Sequence, residues 1–488
     1  MSHRTSQTMP PIIQGGMGIY AFPWQSAREV ALLGKGRTIG VPSGTGLHLV
    51  MPRLLQLGDQ GGHFRRALAA FPDQDMAQRV FSRYYVPDGI SATTPFKNIE
   101  HFTLTPSRDL IELTICANFC QVWLAKEGHN YPIGINYLEK VQMPHLYALY
   151  GAMLAHVDYL FVGAGIPMQF SAVMDKLVRH LPATYSVYVI GAEKSSDYRM
   201  HFDPRDFIRE ILPELPRPKF FPIISSPILL QVLTKSGDQK IAGCVVETKE
   251  AGGHSAGPRG KMVLTDAGEP LYGARDEIDF EQLRRIGLPF YLAGAYASPE
   301  MLAHAKTLGA VGIQVASIFA LSDQPDHSGI DPKLRSFIRR EAYNGRLVVF
   351  NDPNASPTGF PFKVVRLPGT LGDPEVFALR HRVCDIGGLV HPYIQEDGSV
   401  GYRCSAEPVN SYLKKGGKIE DTANTMCLCN GLHATPGLGQ RLKNGTTEPS
   451  VVTLGQDLSF LQYLMSDEND SYTIGDAIQH LLKQTSET

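Results

Sequence analysis

Short apolar runs alternate with stretches of helical spacing through the first 345 residues of the chain. Apolar runs bounded by glycine are typical of parallel strands buried on both faces, with the helical stretches as crossovers between them. Eight such strands are predicted, at residues 11–14, 37–41, 133–136, 159–162, 220–224, 243–247, 290–293 and 312–315. Eight strand-and-helix units in succession predict an α/β fold of the (β/α)8 TIM-barrel type.

Helical spacing predicts the outer layer of this barrel and divides the rest of the chain. The predicted helices lie at 24–33, 143–156, 168–180, 280–286, 299–308 and 331–344. We assign the barrel to 1–45 and 133–345, a helical insertion to 46–132, and an irregular, cysteine-containing C-terminal cap or subdomain to 346–488. A further apolar run at 185–190 predicts a hairpin or strand inserted in a loop.

The composition narrows the class of protein. There are 46 Lys and Arg residues against 48 Asp and Glu residues, a net charge of −2, and 43% of the residues are apolar. This balance is typical of a globular enzyme and excludes both a disordered chain and a protein that binds nucleic acid through bulk positive charge. No run is long enough to span a membrane and residues 1–8 lack the apolar stretch of a signal peptide, so we expect a cytoplasmic location.

The cysteines raise the question of a metal site. An odd total of seven, without a signal peptide, argues against a disulfide framework. Their late spacing lacks the paired C-x-x-C knuckles of a zinc ribbon, so buried thiols are favoured over a structural metal, and no metal site is predicted. The four late cysteines are Cys384, Cys404, Cys427 and Cys429.

Glycines and polar side chains follow the predicted strands where each strand ends. Ligands bind at this end of a parallel barrel, and glycine lets backbone N–H groups approach an anion or a flat ring. A tight turn is the simpler interpretation of any single glycine, but the whole set favours a binding site. The glycines at 163 and 165 match a dinucleotide-binding motif only loosely. The set comprises 14–18, 136, 163–165, 251–254, 294 and 314–317.

His254 is the candidate catalytic residue. It follows two glycines at a predicted strand end. There its imidazole would face the mouth of the barrel and exchange a proton near neutral pH. A surface or hydrogen-bonding histidine is the alternative interpretation. Glu247 and Glu250, just before it, would either orient the ring or face solvent.

Five motifs together resemble the nitronate monooxygenase family, formerly called 2-nitropropane dioxygenases, whose members are FMN-dependent (β/α)8 barrels related to trans-acting enoyl reductases. The motifs are Ile-Ile-Gln-Gly-Gly-Met-Gly at 12–18, Ile-Gly-Ile-Asn at 133–136, Glu-Ala-Gly-Gly-His at 250–254, Leu-Ala-Gly at 292–294 and Gly-Ala-Val-Gly-Ile-Gln-Val at 309–315. The segments 356–363 and 427–432 are similar to a longer bacterial branch of the family, so the resemblance covers nearly the whole chain.

The resemblance implies an FMN site and a role for each matching residue. Gly16, Met17 and Gly18 would line the isoalloxazine ring, and Asn136 would form a hydrogen bond with the flavin. His254 would face the substrate. The phosphate and ribityl chain would be held by Gly252, Gly253, Gly294, Gln314 and Ser317.

The chain departs from the family pattern at two of these places. The family commonly has glycine where this chain has Ala295, and threonine where it has Ser317. Ala295 adds a Cβ near the implied phosphate position, whereas Ser317 keeps the hydroxyl. FMN is still expected to bind.

The implied function is oxidation of an alkyl nitronate, or a similar anionic substrate, with O2, aided by a protonated His254. The alternative within the same fold is an NAD(P)H-dependent, trans-acting enoyl reductase that acts on an enoyl thioester in polyketide or fatty-acid synthesis. A non-catalytic flavin-binding scaffold is the alternative from another class.

Partners follow from these alternatives. An enoyl reductase would receive its substrate from an acyl carrier protein, and His63, Arg65 and Arg66 are candidates to receive a phosphopantetheine arm. An exposed charged helix is the simpler interpretation of these three residues. The insertion and the C-terminal region would either cap the mouth of the barrel or pair two subunits of a homodimer.

Overall fold

The computed structural model describes residues 9–194, 197–210, 212–235, 240–442 and 445–484. The strands in these ranges are β1 Ile12–Gln14, β2 Thr38–Ile39, β3 Gly134–Leu138, β4 Tyr159–Gly163, β5 Ala183–Ser186, β6 Arg199–Phe202, β7 Lys219–Ile224, β8 Cys244–Glu247, β9 Phe290–Ala293, β10 Gly312–Val315, β11 Val348–Asp352, β12 Phe362–Arg366, β13 His391–Ile394 and β14 Val400–Arg403.

Eight of these strands run parallel in the order β2-β1-β10-β9-β8-β7-β4-β3. Bridges from Gly40 to Ile133 and from Ser43 to Asn136 join the two outer strands and close the ring. All eight overlap the runs predicted from the sequence, so the (β/α)8 barrel is confirmed. The run at 185–190 is confirmed as an inserted element, because β5 pairs with β6 as an antiparallel ribbon outside the barrel.

Alternate residues of the barrel strands meet in the interior, as the period of two in a strand requires. The cluster is filled largely by aromatic rings, and it closes the barrel below the strand ends as a packed core rather than a pore. Its members are Ile13, Ile39, Val41, Tyr159, Phe161, Phe221, Val245, Tyr291 and Ala293.

The helices in the described ranges surround this barrel and extend from it. They are α1 Trp24–Gly34, α2 Leu47–Gln56, α3 His63–Ala69, α4 Gln74–Tyr84, α5 Arg108–Lys126, α6 His145–Leu154, α7 Phe170–Leu177, α8 Pro227–Lys235, α9 Phe280–Ile286, α10 Pro299–Thr307, α11 Ser317–Ala320, α12 Pro332–Tyr343, α13 Pro374–Leu379, α14 Val409–Lys414, α15 Leu428–Ala434, α16 Leu461–Leu464 and α17 Ile474–Leu481. Short 3-10 turns lie at Gln60–Gly62, Pro204–Asp206, Ala274–Asp276, Pro325–His327 and Ile419–Thr422.

Local sequence sets several of these helix ends. The Ser298 side chain accepts a hydrogen bond from the backbone N–H of Met301 at the start of α10. Asp331 does the same for two N–H groups of α12, and a proline follows each of these caps. A side-chain acceptor and a proline in the first turn are strong start signals, since the first N–H groups of a helix have no partner within it.

Two helices that the periodicity did not single out complete the outer ring. The 19-residue α5, within the predicted insertion, is buried along most of its length and packs against α1 and α6. At the other end of the chain, α17 packs against α1, α10 and α11. The last described helix therefore lies beside the first one and helps to close the layer of helices around the barrel.

The C-terminal region also contributes to the mouth of the barrel. β11 and β12 form an antiparallel ribbon, as do β13 and β14. An antiparallel bridge joins Phe362, at the start of β12, to His254. The loop that follows β8 is thereby fixed by chain that lies about a hundred residues later.

A search of the described helices for a membrane-crossing segment finds none that combines sufficient length with sufficient apolar character.

Candidate active site

A cleft of about 950 Å³ lies at the mouth of the barrel where β1, β2, β3, β4, β7 and β8 end. Glycines and apolar side chains make up most of its wall, and α15 closes it from above. The chemically relevant lining residues are Gly16, Met17, Gly18, His48, Asn136, Tyr137, Glu247, Gly252, Gly253, His254, Cys429 and His433.

One wall of the cleft is the turn after β1, which lies against the end of β3. A Cβ placed on Gly16 would lie 2.0 Å from the Cγ atom of Asn136, so only glycine fits there. The carboxamide of Asn136 is pressed flat against the backbone of the turn. Its Oδ1 atom is buried and has no hydrogen-bond partner among the described residues. Buried polar atoms are nearly always satisfied, so this oxygen is a candidate contact for a bound molecule.

His254 lies on the opposite wall, where the sequence analysis expected it. Its Nε2 atom is hydrogen-bonded to the Ser356 hydroxyl at 2.7 Å, and its ring packs edge-on against Phe362 at 4.8 Å between centroids. Burial lowers the pKa of His254 to about 4. The imidazole is therefore neutral at neutral pH, and the expectation of a protonated imidazole is wrong because desolvation disfavours the charged form.

The other two histidines of the cleft are neutral for the same reason. Burial lowers the pKa of His48 to about 4 and that of His433 to about 3, with the nearby Arg53 charge adding to the effect. His433 is held by a 2.7 Å hydrogen bond between its Nδ1 atom and the carbonyl of Cys429. No Lys or Arg is found among the described residues that line the cleft. The wall thus offers no positive charge to an anionic ligand.

Glu247 is the acidic residue of the cleft. It ends β8, and burial raises its pKa to about 7, with the positive charge of Lys363 opposing the shift. The sequence analysis named Glu247 only as a possible partner of His254, yet no hydrogen bond joins the two side chains. The sequence pattern does not reveal the raised pKa of Glu247, because burial is a property of the folded chain.

The residues implied to hold the phosphate are divided between two environments. Gly252 and Gly253 line the cleft, whereas Gly294, Gln314 and Ser317 do not. Gly294 faces the Thr248 side chain, which lies where a Cβ would be. The Ser317 hydroxyl accepts a 2.8 Å hydrogen bond from the N–H of Gly455.

The segment 452–456 explains this division, because it runs over the ends of β8 and β10. Thr453 accepts a 2.8 Å hydrogen bond from the N–H of Gly253, and the backbone N–H of Gln456 donates to the carbonyl of Glu250 at 3.0 Å. A Cβ on Gly252 would lie 2.7 Å from the backbone of Leu454. Two of the groups expected to bind phosphate, the Gly253 N–H and the Ser317 hydroxyl, therefore already form hydrogen bonds within the protein.

Ala295 follows Gly294 in this part of the mouth. Its φ of 56° lies in the left-handed region, which favours glycine. The alanine at a position where the family commonly has glycine is therefore held in a strained backbone conformation.

Of the four late cysteines, Cys429 lines the cleft. All are free thiols, and Cys404, Cys427 and Cys429 belong to the apolar core of the C-terminal region. No group of three or more potential ligands in metal-binding geometry occurs among the described residues. These thiols pack the irregular subdomain.

The charged residues of α3 lie away from the cleft and none of them lines it. Arg66 forms a two-pronged ion pair with Glu127 at 2.7 and 2.9 Å. Arg65 lies 3.5 Å from Asp59, and the ring of His63 packs against Trp24. The charges are engaged within the helical layer.

No family model and no curated protein matches the chain. Among solved structures, the chain is similar to FabK from Thermotoga maritima, with 14% identity, a TM-score of 0.46 and coverage of 99% of this chain and 95% of that one. It is similar to nitroalkane oxidase from Streptomyces ansochromogenes, with 13% identity, a TM-score of 0.41 and coverage of 98% and 96%. It is also similar to the enoyl reductase domain of MlnA from the macrolactin biosynthesis cluster of Bacillus amyloliquefaciens, with 11% identity, a TM-score of 0.43 and coverage of 96% and 93%. A likeness this distant does not assign an activity to the chain.

Proposed function

We propose that this chain is an FMN-dependent oxidoreductase whose reaction takes place in the cleft. The observation that carries the proposal is the buried, unpartnered Oδ1 atom of Asn136 beside the glycine surface of Gly16. Leaving a buried acceptor unpaired costs about 1–3 kcal/mol. A flat ring with an N–H group at its edge would satisfy that oxygen and lie against the glycine backbone.

The ring end of FMN fits the residues present. The backbone of Gly16, Met17 and Gly18 would support one face of the isoalloxazine, and Asn136 would bond its edge. Bound FMN would supply the electron-accepting and electron-donating chemistry that no side chain offers. The largely apolar wall would limit the access of water to that ring and so strengthen the polar contacts that remain.

The phosphate end is assigned from the sequence resemblance. Gly252 and Gly253 reach the cleft, but the Ser317 hydroxyl and the Gly253 N–H are engaged by the segment 452–456. We keep Gly294, Gln314 and Ser317 as the proposed phosphate and ribityl contacts on the strength of the sequence resemblance alone. Binding there would require backbone N–H groups to serve in place of basic side chains, as they do in glycine-rich anion sites.

The first candidate reaction is oxidation of an alkyl nitronate with O2, as the resemblance implies. His254 would contact the substrate through its neutral imidazole, with Ser356 fixing the orientation of the ring. A neutral imidazole can accept a proton or donate a hydrogen bond, depending on its tautomer. It supplies no charge to attract the anionic nitronate.

The second candidate is NAD(P)H-dependent reduction of an enoyl thioester. The absence of Lys and Arg from the described lining, together with three neutral histidines, favours a neutral substrate over an anionic one. In this reaction the protein must deliver a proton to the substrate carbon next to the carbonyl. A cleft that contains a carboxyl group with a raised pKa is suited to that step.

The proposal is tested by binding and by reduction. FMN is titrated into the protein, and into Asn136→Ala and Asn344→Ala, the second of which removes an exposed asparagine on the outer surface. We expect a clear loss of affinity for Asn136→Ala alone. Equal affinity for all three proteins, or no binding by any, would contradict the proposal.

The two reactions are then separated without oxygen. NADPH is added to the flavin-loaded protein, and a nitronate is added to a second sample. Rapid bleaching of the visible flavin band by NADPH supports the reductase, and bleaching by the nitronate alone supports the oxidase. A flavin that is bound but reduced by neither compound, with no effect of His254→Ala, would support the scaffold alternative instead.

A further inference from the structure

Glu247 lies between two cavities. It lines the cleft and also a side cavity of about 1340 Å³ beneath the loop that follows β8. Among the described residues that line the cleft, Glu247 is the one that also lines this side cavity. The other charged groups of the side cavity are Lys249, Glu250, Arg259, Asp276 and Glu277.

The carboxylate of Glu247 is not held by the protein. No hydrogen bond joins it to any other residue in the described part of the chain, and the charge that acts on it is that of Lys363 in β12. Lys363 is fully buried, and its Nζ atom donates to the carbonyl of Lys249 at 2.7 Å. Burial lowers the pKa of Lys363 to about 8, with Glu269, Glu250 and Glu247 opposing that shift.

The other titratable groups of the cleft do not change protonation near pH 7. Burial makes His48, His254 and His433 neutral. Burial also raises the pKa of the Cys429 thiol and of the Tyr137 hydroxyl well above their ordinary values. Both of these groups therefore keep their protons.

We propose that Glu247 is the residue through which the cleft exchanges protons with solvent, by way of the side cavity. This inference rests on the proposed function, since it presumes a reaction in the cleft that consumes or releases a proton. The O–H bond of the Glu247 carboxyl breaks as its proton passes to the reacting atom. Glu247 is then a carboxylate. The carboxylate then takes a proton from a water molecule in the side cavity, and the resulting hydroxide passes to bulk solvent.

The first test needs neither cofactor nor turnover. Melting temperatures of the wild type, Glu247→Gln and Glu281→Gln are measured from pH 5 to pH 9. Glu281 is an exposed carboxylate on α9 and serves as the matched control. The unfolded wild type loses this proton near pH 4.5, whereas the folded protein keeps it to about pH 7. Glu247→Gln should therefore gain stability relative to the wild type as the pH rises toward 7, and the difference should level off above 7. The control should show no such gain.

A second readout covers the case in which Glu247→Gln fails to fold. The infrared band of a protonated carboxyl is followed with pH in the wild type and in Glu247→Asp, which keeps the acid on a shorter side chain. We expect a wild-type band that is lost near pH 7 and a band of altered midpoint in Glu247→Asp. A midpoint near 4.5 in both proteins, or a melting difference that is constant with pH, would overturn the proposal.

The third readout connects this carboxyl to the reaction. In the flavin-loaded enzyme, Glu247→Gln should lower kcat about 100-fold and remove the limb of the pH profile near 7, while Glu281→Gln should leave both unchanged. If the protein binds no flavin and shows no turnover, the proposed function fails although the first two readouts succeed. If turnover of Glu247→Gln equals that of the wild type at every pH, the proton role fails and the proposed function stands.

Discussion

The Nε2 atom of His254 and the hydroxyl of Ser356 lie 2.7 Å apart although 102 positions separate the two residues. The Ser356 hydroxyl also lies 2.8 Å from that of Thr358. The barrel thus places the histidine at its mouth, but the C-terminal region fixes the direction in which the ring points. Orientation of a reactive imidazole by a neighbouring polar group is a common requirement of catalytic sites.

This relationship predicts that Ser356→Ala weakens catalysis without removing the cofactor. The ring of His254 loses its fixed hydrogen bond, so kcat should fall roughly 10-fold or more. Flavin affinity should be unchanged, because Ser356 does not line the cleft. Ser399→Ala, in an exposed turn, is the control. A loss of flavin from Ser356→Ala, or full activity, would show that the contact does not act through the histidine.

Buried histidines predict acid sensitivity. Burial lowers the pKa values of His48 and His145 to about 4 and that of His433 to about 3. The unfolded chain binds these protons near pH 6.5, so stability is present above that pH and is lost as the pH falls toward 4. At 1.36 kcal/mol per pKa unit, each histidine lowers the free energy of unfolding by about 3 kcal/mol between pH 6.5 and pH 4.

The share of one histidine can be measured in His145→Gln, which has no proton to gain. Buried carboxyls with a raised pKa, such as that of Glu139, act in the opposite direction and are common to both proteins. Urea unfolding from pH 7 to pH 4 should show a shallower loss of stability in the variant. Parallel curves for the two proteins would exclude His145 as a contributor.

The strand pattern of the barrel could be predicted from the sequence because its signal is local. Apolar runs such as 290–293 and 312–315 alternate with helical stretches, and the parallel arrangement follows from the helices between them. The site glycines could be found for the same reason. Gly16 and Gly253 lie in the loops that follow β1 and β8.

The parts that sequence reasoning missed depend on contacts between distant segments. The raised pKa of Glu247 arises from burial in the folded chain, against the opposing charge of Lys363, which lies 116 positions later in the sequence. The neutral state of His254 also follows from tertiary burial, which no spacing reveals. The position of α17 beside α1 depends on the path of the whole C-terminal region.

The left-handed backbone at Ala295 predicts that glycine is better tolerated there. A residue with a side chain costs about 1–2 kcal/mol of folding free energy in this region, and glycine avoids that cost. Part of the benefit is lost because glycine has more conformational freedom in the unfolded chain. Ala295→Gly should therefore raise the free energy of unfolding by up to about 1 kcal/mol. Ala297→Gly, two positions later at a negative φ, should lower it. Equal effects at both positions would argue against strain at Ala295.

The packing of α17 predicts that the end of the chain is required for the barrel to fold. Ile474 on α17 is fully buried, whereas Gln479 on the same helix is exposed. Ile474→Ala should lower the free energy of unfolding by about 3 kcal/mol, and Gln479→Ala should change it by less than about 0.5 kcal/mol. A small effect of Ile474→Ala in urea unfolding would show that α17 is only loosely attached.

The proposed flavin site is the cleft between Gly16, Asn136 and His254. The most direct measurement is the visible absorption spectrum of the purified protein after incubation with FMN and removal of free ligand. We expect a yellow protein with one flavin per chain, and a largely colourless Asn136→Ala variant that remains folded. A colourless wild-type protein that fails to retain added FMN would contradict the proposed flavin site.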